Sequence, residues 1–193
     1  MSKTPVISEA ELIQKCKQGN LKHQERLYKH FYSYAMAVGL RYLNDRDDAL
    51  EVINDSFIKV FKSIKNFKND QNFKPWLRKI VINTALDRRR KDMKHQNQTA
   101  LENAEYVSFA PQAIDTLNVQ DIFKLLNALP YTQRTVFNMY EIDGYNHEEI
   151  GESLQISASS SRVNLSRAKE KLREAFRLEQ SEYEENDRSG TYR

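Results

Sequence analysis

The stretch NHEEIGESLQISASSSRVNLSRAKEKL, residues 146–172, decides how the second half of the chain is read. Asn146 can accept a hydrogen bond from a backbone N–H one turn on, and Glu149 follows at the spacing that lets its carboxylate reach back. A helix is therefore expected to start here and to run to Leu154. Gln155-Ile156-Ser157 has the length of a tight turn with an inward Ile. Ser157 can then cap a second helix carrying Leu165, Ala168, Leu172 and Phe176 on its apolar side. The spacing predicts a helix, a turn and a helix. Ser160, Arg162, Ser166, Arg167 and Lys169 fall away from the apolar side. These are residue types that a helix lying in a major groove uses: Arg engages guanine, and hydroxyls take phosphates or base edges. Helix pairs with such a turn also occur as plain packing units, so the outline alone does not identify a DNA reader.

Upstream of this pair, helical spacing runs through Val119, Ile122, Phe123, Leu125, Leu126 and Leu129, stops at Pro130, resumes through Val136, Phe137 and Tyr140, and breaks at Gly144. Between His95 and Asn118 the periodicity fades into Gln, Asn, Ala and Ser, a composition that buries little surface and reads as a linker. The expected organisation is an all-α fold of two small domains, 1–94 and 119–176, joined by a linker over 95–118. After Phe176 only polar and acidic character remains, and 177–193 is expected to be a disordered tail.

The first domain reads as packed helices: one beginning over Glu9 to Lys17, one over Gln24 to Tyr42, and one over Asp47 to Lys65 with Leu50, Ile53, Phe57, Val60, Phe61 and Ile64 at helical spacing. Polar residues between Phe67 and Pro75 form a loop, and Pro75 sits where a first helical turn tolerates it. The helix that follows is basic: from Lys74 to Lys94 there are eight Lys or Arg against two Asp. That is the charge distribution of a phosphate-binding face, although a solvated helix face has the same look. Lys79, Asn83, Asp87, Arg90 and Lys94 share one arc, and Leu77, Ile80, Val81 and Thr84 fill another. An Asn among cations suits strand recognition, because the cations track phosphate while the amide both donates to and accepts from a base edge. The bland alternative is that Asp87 pairs with a neighbour. Phe73 and Trp76 read as core anchors at the loop-to-helix junction. Asp48, Glu51 and Asp55, with Lys59 beyond them, form a charged stripe that is either a docking surface or ordinary pairing along the helix.

Bulk properties are consistent with this. The chain has 193 residues, 30% of them charged, a net charge of +3 and few Gly or Pro, as expected of a helical, water-soluble protein. No apolar run reaches membrane-spanning length and no secretory leader is visible, so a cytoplasmic location is expected. With one cysteine, Cys16, and four scattered histidines, neither a disulfide nor a zinc site is expected, and no cofactor is implied.

Taken in order, these residues resemble the extracytoplasmic-function sigma factors of the sigma-70 family. In the first half the resemblance rests on Asp48-Ala49-Leu50-Glu51-Val52-Ile53-Asn54-Asp55-Ser56-Phe57-Ile58-Lys59-Val60, on Phe67-Lys68-Asn69-Asp70 through Phe73, on Trp76-Leu77 and on Asn83 to Arg90. In the second half it rests on Leu129-Pro130, Arg134 to Tyr140, Gly144, Glu149-Ile150 and Arg167-Ala168 to Leu172. The resemblance implies a transcription initiation factor that binds core RNA polymerase, selects promoters and assists strand opening. Asp48, Glu51, Asn54, Asp55 and Lys59 would dock on the β′ clamp helices. Asn69, Asp70, Gln71 and Asn72 would capture a flipped base of the −10 element, with Asn83 reading its neighbour and Lys79 and Arg90 on the same face. The helix after Ser157 would read the −35 element through Ser160, Arg162, Ser166, Arg167 and Lys169. Implied partners are core polymerase, through its β′ clamp helices and β flap, promoter DNA, and an anti-sigma factor anchored in the membrane, with no direct membrane contact by this chain. Gly151 stands where the family has Ala, an expected cost of about 1 kcal/mol in helix stability, and Ser159, Ser161 and Val163 also depart from the family pattern.

Two other functions compete. A helix-turn-helix repressor or activator working without polymerase explains the second half but leaves Asn69 to Lys94 without a role. A nuclease built on Asp45, Asp47 and Asp48 is a weaker alternative, because acids beside a helix start are explained by the helix dipole.

Overall fold

A computed structural model describes residues 7–43, 45–68, 72–98 and 125–190, with side chains described to residue 93 in the fourth helix and to 177 in the last. The chain divides into two compact units, Met1–Val107 and Ser108–Arg193. Among the described residues every regular element is helical, and no helix is long and apolar enough to cross a membrane.

The first unit is built from α1 (Glu9–Lys17), α2 (Leu21–Tyr42), α3 (Arg46–Ser63), a single 3-10 turn (Ile64–Asn66) and α4 (Phe73–Gln98). Each of the first three helices starts on a side-chain cap. Ser8 accepts from the Glu11 N–H, Asn20 from His23, and Asp45 from both Asp47 (2.7 Å) and Asp48 (3.0 Å). Such caps satisfy backbone donors that a helix start leaves open, and each contributes on the order of 1 kcal/mol. Asp45 is thereby committed to structure. The core is the apolar stripe expected from the spacing: Leu27, Phe31, Ala35, Val52, Ile53, Phe57, Val60, Leu77, Val81 and Ile82 are all buried. Leu50, counted with that stripe, is exposed.

The start of α4 is pinned by aromatic rings. Phe73 lies 4.7 Å from Phe31 and 5.6 Å from Phe67, and Phe67 lies 5.0 Å from Trp76. Phe73 is fully buried and Trp76 half-buried, so both serve as anchors. Lys17 donates through Nζ to the Phe67 carbonyl at 2.6 Å, tying the end of α1 to the same junction. Phe67 and Phe73 are therefore both fixed in place by packing. The helix begins at Phe73, which places Pro75 third rather than first. Proline is tolerated there because the first four N–H groups of a helix have no intrahelical acceptor.

In the second unit, residues 125–127 are helical and a turn leads through Pro130 into α5 (Tyr131–Phe137), which continues as a π-helical segment (Asn138–Ile142). Gly144, at φ +77°, ends it. Next come α6 (His147–Leu154) and α7 (Ala158–Gly190). Leu126, Leu129, Val136, Met139, Ile150, Leu165 and Ala168 are buried, with Phe137 and Leu172 packed against them. The capping box is formed as expected: the Glu149 N–H donates to Asn146 Oδ1 at 2.8 Å and the Asn146 N–H to Glu149 Oε2 at 2.9 Å. Ser157 caps α7, accepting from the Ser160 N–H at 3.0 Å.

Two expectations are corrected here. Gly151 is not a cost carried by α6. A Cβ at that position would lie 2.7 Å from the Ile156 carbonyl oxygen, so the close turn requires Gly. The turn closes as the Ile156 N–H donates to the Gly151 carbonyl at 3.0 Å, with Gln155 in the left-handed region at φ 57°. The second correction concerns the tail. The last helix continues to Gly190 where disorder was expected beyond 176. Glu, Gln, Arg and Leu all have good helix propensity, and a helix already nucleated gains one backbone hydrogen bond for each further residue it fixes.

Candidate nucleic-acid interface

Three groups of residues were expected to form surfaces, and their geometry differs. On α3, Asp48 and Glu51 do not pair along their own helix. Both reach across to Arg88 on α4, at 3.0 and 2.5 Å, and Arg88 also contacts Asp92 at 3.3 Å. Lys59 donates to Thr84 Oγ1 at 3.0 Å and lies 3.6 Å from Asp87. Asn54 accepts from the Tyr28 hydroxyl at 2.9 Å. Asp55 is exposed and, among the described residues, has no ion-pair partner. The stripe thus clamps α3 to α4. Burial pushes the Asp48 carboxyl above its ordinary range; Arg88 opposes this, and the neighbouring Asp45, Asp92 and Glu51 reinforce it. Arg88, absent from the sequence-based candidates, is the centre of the network. It lies 40 and 37 residues from Asp48 and Glu51, where no helical spacing rule operates.

On α4, Lys79 and Asn83 are both exposed, one turn apart, and Asn72 is exposed just before the helix. Asn69, Asp70 and Gln71 lie outside the described residues. Arg90 donates to Asp87 at 2.6 Å, and Asp87 also faces Lys59, so the pairing alternative holds for Asp87. Between α3 and α4 a polar cleft of about 370 Å³ is lined by Asp55, Lys59, Thr84, Asp87, Arg90 and Lys91, among others.

On α7, the outward residues separate into two groups. Ser160, Ser166 and Arg167 are exposed, and Arg167 has no charged partner among the described residues. Arg162 is exposed but donates to Glu148 of α6 at 3.2 Å, and Lys169 contacts Glu141 at 2.6 Å. Lys169, expected on the DNA-facing side, is instead turned toward the π-helical segment. Ser161 is fully buried, 3.0 Å from His147 Nδ1, and the His147 ring stacks on Tyr140 at 4.4 Å. The small Ser161 hydroxyl therefore fits against an imidazole. Ser161, His147 and Glu148 were missed from sequence because each acts through a contact about 14 residues away. Among the described residues no His, Cys, Asp or Glu cluster is arranged to hold a metal. Of the nuclease carboxylates, Asp45 is a cap and Asp48 an ion-pair partner.

Comparison with known proteins agrees with this two-part layout. The family model for sigma-70 region 2 matches residues 27–95 and the model for sigma-70 region 4 matches residues 120–172, together more than half of the chain. The chain is 24% identical over 178 residues to the ECF RNA polymerase sigma-E factor of Haemophilus influenzae, covering 86% of this chain and 94% of the relative. It is 26% identical over 151 residues to the RNA polymerase sigma factor SigV of Bacillus subtilis, covering 78% and 84% respectively. In fold it is similar to the sigma factor RpoE solved with the anti-sigma factor NepR from Bartonella quintana, with a TM-score of 0.59, 21% identity, and 80% of this chain and 96% of that one covered. With both regions present in order, the chain belongs to the sigma-70 family of RNA polymerase sigma factors, among its extracytoplasmic-function members.

Proposed function

We propose that this chain is a transcription initiation factor that binds core RNA polymerase and brings it to promoters, with α3 docking on the enzyme, the start of α4 engaging the opened −10 element and α7 reading the −35 element. The carrying observation is that two helical units on one chain each expose polar and cationic residues, Lys79 and Asn83 on one and Ser160, Ser166 and Arg167 on the other. A factor that only binds duplex DNA needs the second alone. Asn72 just before α4 and Lys79 and Asn83 along it are all exposed, an arrangement that suits a displaced strand. Exposed Asp55, with Leu50 and Ile58 on the same helix, supports α3 as the polymerase-facing element. Chemistry is left to the polymerase, and the working compartment is the cytoplasm. The Bartonella quintana relative is solved with an anti-sigma factor, which supports an inhibitory partner for this chain as well.

The test is reconstitution. Core polymerase supplied with the purified chain should start transcripts from promoters carrying spaced −35 and −10 elements. Failure to associate with core polymerase in a pull-down, with duplex DNA binding retained, would replace this reading with that of a helix-turn-helix regulator. Replacing Asn83 by Ala should reduce permanganate reactivity at −10 while leaving −35 duplex binding intact.

A further inference from the structure

Viewed down its axis at about 100° per residue, α7 has Val163 at the apex of its outward face. Buried Ser161, Leu165, Ala168 and half-buried Leu172 lie about 140–180° from it on the core side. Exposed Ser159, Ser160, Ser166 and Arg167 lie within about 60° of it. Arg162 and Lys169 sit on one flank, about 100–120° away, where Glu148 and Glu141 hold them. The centre of this outward face is therefore held by an apolar residue, 48% exposed and flanked by hydroxyls and a guanidinium.

From this placement, and resting on the assignment of α7 as the −35 reader, we infer that Val163 is a specificity-determining residue that packs on the C5-methyl group of a thymine in the −35 element. Of the groups that base pairs present in the major groove, the thymine methyl is the apolar one that an isopropyl side chain complements. A β-branched residue also reaches the groove floor with a nearly fixed χ1 in a helix, so little rotamer freedom is lost on contact. Arg167, one turn on, is placed to take a neighbouring guanine. Glu170 lies on the same line about 10 Å further along the axis and sets a limit to the reading stripe, since its carboxylate repels phosphate.

The experiment uses the full chain with core polymerase. The −35 sequence is first selected from duplexes randomised at that element, and each selected thymine is then replaced by uracil, which lacks only the methyl. One such replacement should weaken holoenzyme binding about three- to fivefold, the worth of a buried methyl-sized group. Val163→Ser should bind thymine and uracil duplexes equally, with an unchanged melting temperature. The inference is overturned if the selected element contains no thymine, if every uracil replacement is neutral, or if the uracil penalty persists in Val163→Ser. Failure of the underlying assignment looks different: no −35 preference is selected, or Arg167→Ala leaves binding unchanged.

Discussion

On α4, Arg88 contacts three carboxylates, Asp48, Glu51 and Asp92, and Arg90 holds Asp87. On the outward face of α7, Arg167 stands among serines with no charged partner among the described residues. Both helices carry concentrated positive charge, and sequence composition alone would give them the same reading. The difference is where the countercharge lies. A cation already matched by acids on a neighbouring helix holds the fold together, and bringing it to phosphate means giving up those contacts. A cation without such partners gains from phosphate or guanine at no internal cost. Anchoring differs too: α4 is set by an aromatic cluster, α7 by a close turn after α6.

The sharpest way to break this contrast is Arg167→Ala. If α7 reads DNA with its unpaired cation, −35 duplex binding should fall about 5- to 150-fold, the range of one good arginine–guanine contact, with no change in melting temperature. Fluorescence anisotropy and thermal denaturation read the two quantities separately. A loss of stability with intact binding would reverse the assignment of the two cations. Next in size is Gly151→Ala. The added Cβ gains about 1 kcal/mol in helix propensity but meets a backbone oxygen that yields only if the turn opens. A net loss of about 2 kcal/mol is expected by urea denaturation, with −35 binding reduced because α7 shifts against α6. A neutral result would mean that the turn is not what positions the reader.

Arg88→Met tests the other side. Its ion pairs are partly exposed and screened, so the expected loss at neutral pH is about 1 kcal/mol, with DNA binding unaffected. The pH dependence carries a sign. Asp48 already has a folded pKa above its ordinary value, chiefly from burial, so its charged form is disfavoured in the fold above that pKa and the cost is relieved as pH falls through it. Removing Arg88 enlarges that cost. The stability deficit of the variant should therefore be greatest near neutrality and shrink as the pH drops into the carboxylate range, around pH 4. A deficit that is constant with pH would remove Asp48 from the account.

What could be read from the residues follows the range of the interactions. The first three helices, the Asn146–Glu149 capping box, the Ser157 cap and the break at Gly144 are set within a few residues, and the structure has them. The loop anchors Phe73 and Trp76 were legible because aromatic residues at a loop-to-helix junction have few other uses. Arg88 was not legible as a network centre, since its partners come from another helix. The pairing of Lys169 with Glu141 and of Arg162 with Glu148 is not legible either, because residue type and spacing cannot show that these acids lie within reach. The role of Gly151 was misread for the same reason: what crowds it is the carbonyl of a turn, invisible to a helix-propensity argument.

The smallest expected effect is also the one with an opposite sign. Gln155 adopts φ 57° and ψ 43°, a conformation in which an L side chain crowds its own backbone, and it does so to let the Ile156 N–H reach the Gly151 carbonyl. Glycine adopts this conformation without that penalty, although it adds freedom to the unfolded chain, so the two effects partly offset. Gln155→Gly should stabilise the second unit by about 0.5–1 kcal/mol while leaving the α6–α7 turn geometry, and with it −35 affinity, unchanged. Side by side, Gly151→Ala and Gln155→Gly then move stability in opposite directions from the two ends of one turn, and only the first should move DNA binding. If Gln155→Gly also weakened binding at equal protein stability, the left-handed residue would be contributing to the reading surface through its side chain, and the separation between a turn that positions and a face that reads would have to be redrawn.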